Sequence, residues 1–164
     1  MLSFPSREEL KERGYCPRSL ELYDLWREAH GEAQELAARL PAVFGDPARP
    51  LITLSVARGY DDEWFLTKER GEELAALDHE QHWTEVTAEA VQNHQEYFTF
   101  SDPEGWRFYL PAFLRHYLAG FPLYHWDAVY SACLTRRHFD LFTPEQVAFV
   151  DEFVALCRTW EAEP

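Results

Sequence analysis

An all-α fold of about six to eight helices follows from three features of this sequence. Apolar residues recur three and four apart through most of the chain, the spacing of one helix face. Helix-starting residues precede those stretches, among them Ser6, Thr87, Asp102 and Thr143, and Pro103 and Pro144 follow directly as first helical positions. Apolar residues make up 46% of the composition and aromatics 16%, ample material for a core, so residues 1–164 read as one ordered domain.

Taken in order, Ser6 with Glu9 three residues on forms a capping box, and Gly14 should end the short helix it opens. Pro17 suits the first turn of a long helix to about Leu40, with an inward stripe of Leu22, Leu25, Trp26, Ala29, Ala33, Leu36 and Leu40. The segment 41–50 holds three prolines and one glycine and reads as a linker. Residues 51–56 are β-like in composition, yet Thr53 or Ser55 could cap a short helix over about 54–60, and helix is the reading taken. Residues 65–82 read as a mobile loop or a short helix with Leu74 and Leu77 at helical spacing. Thr87 caps a helix that presents Val91, Gln95 and Phe98 on one face.

Pro111 interrupts the apolar run that begins at Pro103. It has no N–H for the Arg107 carbonyl, and a straight helix through it loses about 3 kcal/mol. The expectation is a corner at Pro111, between helices over about 103–109 and 111–120, with Gly120 as the stop. A further helix over about 124–135 would turn Trp126, Val129, Tyr130, Cys133 and Leu134 inward. Thr143, Pro144 and Gln146 then open a closing helix, apolar over a wide arc through Val147, Val150, Phe153, Val154, Leu156 and Cys157.

Net charge is −14, and residues 61–104 alone carry 13 acids against 2 bases. Nucleic-acid binding needs a basic patch and is disfavoured. A basic protein partner is electrostatically allowed. No apolar run reaches the about 20 residues of a membrane span, and the first residues lack the apolar core of a secretory signal. Cys16, Cys133 and Cys157 are odd in number and lack C-x-x-C spacing, as expected of small buried thiols in a cytoplasmic protein.

Three blocks stand together: "HWTEV" (82–86), "FYLPAFL" (108–114) and "FDLFTPEQVAFVDEF" (139–153). In that order and spacing the chain resembles a family of small bacterial proteins carrying a domain of unknown function, with a "YLPAYL"-like corner and a closing "LF-x-x-EQ" helix. The resemblance implies a family-like core over 42–160, leaves 1–40 as an N-terminal helical extension, and implies no activity, catalytic residue or cofactor.

Chemistry-bearing residues are few in pattern. His79 and His82 lie three apart beside Asp78 and Glu80, and His94 or the pair Asp61 and Asp62 could complete a metal site, but the spacing is not H-E-x-x-H. No G-x-S-x-G elbow or glycine-rich phosphate loop occurs. Ser131, Cys133 and His138 are close in sequence, but Cys133 reads as core. Arg136 and Arg137, the only basic cluster in the second half, could clamp an anion or answer a helix C-terminus. The sequence favours an acidic interaction module, regulatory or of the immunity or inhibitor kind, that meets a partner through Tyr60, Asp61, Asp62, Glu63, Trp64 and Trp83. The alternatives are a metal-dependent or acid–base enzyme using Asp61, Asp62, His79 and His82, and a structural homodimer.

Overall fold

The computed structural model describes residues 4–123 and 128–161. Among the described residues there are ten α-helices, one 3-10 turn and no strand, so the all-α expectation holds. At Ser6 the hydroxyl accepts from the Glu9 amide at 3.1 Å while the Glu9 carboxylate accepts from the Ser6 amide at 2.6 Å, opening α1 (Arg7–Glu12). Gly14, at φ 82°, takes the left-handed turn that ends it. Pro17 starts α2 (Pro17–Ala38).

The stretch expected as a linker is helical in its first part, as α3 (Leu40–Phe44). Pro41 falls in the first turn of that new helix, where a missing N–H breaks no bond, and only residues 45–50 lie outside a helix. The ambiguous stretch is α4 (Leu54–Asp62), and α5 (Lys68–Ala75) follows, with the Thr67 hydroxyl accepting from the Arg70 amide at 3.1 Å. A 3-10 turn (Trp83–Glu85) leads to α6 (Ala88–Asn93), α7 (Tyr97–Phe100), α8 (Pro103–Gly120), α9 (Ala128–Thr135) and α10 (Pro144–Glu161). The count exceeds six to eight because α3 stands apart from α2, and because the Thr87 helix stops at Asn93 and restarts at Tyr97. Thr87, Asp102 and Thr143 all cap as read, accepting from the amides of Ala90, Gly105 and Gln146.

The corner at Pro111 does not form: α8 is one helix from Pro103 to Gly120 with Pro111 inside it. Pro111 and its neighbours Leu110, Ala112, Phe113 and Leu114 are all buried. Burying Phe108, Phe113, Leu114 and Leu118 is worth about 1.5–3 kcal/mol each, which together outweighs the about 3 kcal/mol that the proline costs. Packing on all sides therefore overrides the local rule. Helices α2, α3, α6 and α9 and the 3-10 turn pack around α8, and α10 closes over α2, α3 and α9.

Three other apolar placements differ from expectation. Leu22, Leu25 and Trp26 are exposed: α2 spans about 33 Å, its second half joins the main core through Ala29, Ala33 and Leu36, and in its first half only Leu20 is buried. Leu134, in the last turn of α9, is exposed, and Cys16 is exposed at the start of α2 while Cys133 and Cys157 are buried. The inward placement of Trp126 lies outside the described residues.

One close approach pins α7 to α8. The Tyr97 hydroxyl donates to the Ile52 carbonyl at 2.7 Å, and a Cβ on Gly105 would collide with that oxygen. Tyr97 is buried and cannot swing away without leaving the carbonyl unpaired. Gly105→Ala is expected to destabilise the chain by about 1–3 kcal/mol, read from the urea midpoint at unchanged slope.

Candidate functional site

The turn between α4 and α5 is held at both ends and bare in the middle. Leu66 and Leu74 pack where any Cβ on Gly59 would sit, which lets α5 approach α4 closely. Arg70 on α5 donates to Glu63 at 3.0 Å and to Glu73 at 3.3 Å. Between these anchors Trp64 is fully exposed and Phe65 is 77% exposed. Tyr60, Asp61 and Asp62, in the last turn of α4, are also exposed. No hydrogen bond or ion pair among the described residues holds either aspartate side chain.

Trp83 does not join this surface. It is 2% exposed, its indole N–H donates to the Gly45 carbonyl at 2.8 Å, and the Arg115 guanidinium lies 5.5 Å from its ring. A tryptophan among acids looked available to a partner, but the 3-10 turn folds it against α8.

The stretch 76–87 is a strap over α4 and α8. The Asp78 carboxylate accepts from the Ser55 amide and hydroxyl, both at 2.8 Å, and so caps α4 from 23 residues away. Arg49 donates to the carbonyls of Ala75 and Asp78. Tyr109 on α8 donates to the Glu80 carboxylate at 2.5 Å. Burial, and then that carboxylate, push the Tyr109 phenol far above its ordinary pKa, so it stays a proton donor. The His82 imidazole pairs with Asp46 at 2.7 Å, which raises its pKa through the hydrogen bond and the opposite charge. The backbone N–H groups of Gln81 and His82 hold the Glu85 carboxyl below its ordinary value.

Beside the strap lies a cleft of about 370 Å³ bordered by Asp78, His79, Glu80 and Glu85. Its lining includes His79 but none of Asp61, Asp62 and His82. Among the described residues no three His, Cys, Asp or Glu side chains are grouped to hold a metal ion. The four residues of the enzyme alternative are therefore not assembled into one site. Asp46, Ser55 and Tyr109, which partner the strap, carry no sequence signal for it, since each lies more than 20 residues from its partner.

A family model matches residues 32–162 of the 164. The chain belongs to DUF6714, a family of unknown function. No curated protein and no solved structure matches it. The DUF6714 region begins inside α2 and takes in the buried half of that helix, the α4–α5 turn, the strap and every later helix described. The first half of α2 and all of α1 lie outside it.

Two outcomes test the strap. Because Asp46 raises the His82 pKa above the ordinary 6.5, the pair stabilises the fold below about pH 6.5, and the gain is lost as pH rises through the folded value. Asp46→Asn should therefore lower the urea midpoint more at about pH 6 than at about pH 8.5. Tyr109→Phe leaves the Glu80 carboxylate without its donor and should cost about 1–2 kcal/mol in the same measurement.

Proposed function

We propose that this DUF6714 chain is an acidic interaction module, regulatory or of the immunity or inhibitor kind, that docks a basic protein partner through the α4–α5 turn. Trp64 and Phe65 are its apolar anchors, and Tyr60, Asp61, Asp62 and Glu63 form its rim. The observation that carries this reading is a fully exposed tryptophan beside an exposed phenylalanine, in a turn fixed at both ends by Arg70 and Leu66. With the backbone of the turn held at both ends, each ring has only its two side-chain torsions to lose on binding, and tryptophan is among the residue types most enriched at binding hot spots. The unpaired Asp61 and Asp62 add a negative field that steers a cationic surface towards the rings. The reading sets the protein in the cytoplasm, in keeping with an odd number of cysteines and no disulfide among the described residues.

A photo-crosslinking residue at position 65, introduced in the native host, identifies the partner, and the purified pair is then titrated. Trp64→Ala with Phe65→Ala should weaken binding at least about tenfold while leaving the melting temperature unchanged, since neither ring is packed in the core. Asp61→Lys with Asp62→Lys should slow association and remove most of its dependence on salt between about 0.05 and 0.5 M. A partner that binds the double alanine variant undiminished would overturn the proposal.

A further inference from the structure

Five of the twelve large apolar side chains exposed among the described residues stand together, on the first half of α2 and the segments beside it. Tyr15, Leu22 and Trp26, with Leu123 from the turn after α8, border a groove of about 410 Å³. Each of these four is 47–51% exposed, so the groove opens onto apolar surface that water reaches. Leu25 is exposed next to them on α2.

The face is held firmly. The Tyr23 hydroxyl donates to the Pro5 carbonyl, the Phe4 ring lies 4.9 Å from the His30 imidazole, and His30 Nδ1 donates to the Phe121 carbonyl at 2.9 Å. Leu10 of α1 and Leu20 of α2 are buried, though neither belongs to the main core. A large aromatic side chain covers about 150–250 Å², so half-exposed Tyr15 and Trp26 with the three leucines leave on the order of 400 Å² in water. That is as large as the largest patch of an ordinary monomer, and it would form the apolar centre of one side of a standard interface of about 800 Å² per partner.

Charge selects the occupant. Residues 1–31 hold 6 acids and 5 bases, a net of −1, whereas residues 32–164 hold 23 acids and 10 bases, a net of −13. A basic partner is therefore drawn to the body and away from this face. A second copy, itself at −14, meets little repulsion where charge is nearly balanced, and Arg27, 5.9 Å from the Tyr23 ring, sets a cation beside the groove to face its acids. We infer that this face pairs two copies of the chain about a two-fold axis. Such an interface needs one surface that complements itself. Leu22 and Trp26, one turn apart on α2, supply the ridge, and the groove they border receives the ridge of the other copy. The pairing stands on α1 and α2 and is independent of the α4–α5 turn.

The test is light scattering on the full chain over a dilution series. At about 100 μM the mass should be close to twice 19.3 kDa. Leu22→Glu with Trp26→Glu should give a monomer with an unchanged far-ultraviolet circular dichroism spectrum, and the milder Leu22→Ala with Trp26→Ala should weaken pairing at least about tenfold. Trp64→Ala with Phe65→Ala should leave the dimer intact. Raising salt from about 0.05 to 0.5 M should tighten the pairing, since it screens repulsion between two acidic bodies, whereas it weakens a contact with a basic partner. A parent chain that stays monomeric, a dimer that survives both α2 variants, or one dispersed by salt or by the Trp64 and Phe65 variant would each overturn the inference.

Discussion

The architecture depends on burying α8 on every side. From Trp106 to Leu118 this helix carries aromatic or aliphatic residues around most of its circumference, so no orientation leaves an acceptable face to water. Two or three long helices cannot enclose such a rod. The chain meets the demand with α2 and α10 and with several short pieces, α3, the 3-10 turn, α6 and α9, each laid across one sector. Short helices are marginal alone, and here their stability comes from the apolar surface they cover. The same demand accounts for Pro111: breaking α8 there would relieve one backbone strain and expose the side chains whose burial holds the fold together.

Enclosure of α8 also determines what the acidic middle of the chain does. Tyr109 brings a hydroxyl into the core, and a buried hydroxyl needs a partner. Glu80 supplies one. Arg115, in the second half of α8, donates to the carbonyls of Thr84 and Val86, and its charge lies near the Trp83 ring. The polar tips of the central helix thus tie down residues 80–86, and Asp78 finishes the strap by capping α4. Carboxylates that looked in the sequence like a solvated, partner-seeking run are in part the fastenings of the core.

What could be read beforehand was local, and what could not was set by distance along the chain. The caps at Ser6, Thr87, Asp102 and Thr143 concern bonds three residues long, and all four formed. The all-helical class follows from periodicity, which is also local. Pro111 was misjudged because propensity counts one backbone bond and ignores a helix packed on all sides. The exposed Leu22, Leu25 and Trp26 continue the same periodic stripe as the buried Ala29 and Ala33, and periodicity does not say where the body beneath a helix ends. Trp83 and Trp64 stand in similarly acidic surroundings, yet one is core and the other bare, and the difference rests on a carbonyl contributed by Gly45 and a cation contributed by Arg115. Asp61 and Asp62 were readable as exposed acids; their separation from His82, which is held by Asp46, was not.

Subtracting these structural uses leaves a small remainder. Within residues 61–104, Glu63, Glu72 and Glu73 are paired with Lys68 or Arg70, Glu96 with Arg58, Asp78 and Glu80 fasten the strap, and Glu85 and Asp102 satisfy backbone N–H groups. Glu69, Glu89 and Glu104 stand in the first turns of α5, α6 and α8, where the helix dipole favours an acid. Asp61 and Asp62 have no such task and adjoin a turn where two large rings face water. Folding gains nothing from that exposure, since an aromatic ring left in solvent forgoes the transfer energy that burial would give. The turn is also not loose, because the Arg70–Glu63 contact and the Leu66–Gly59 packing hold its two ends. Stability does not explain this arrangement, in which unpaired charge stands next to exposed aromatic surface, the combination that gives a binding site both its attraction and its grip.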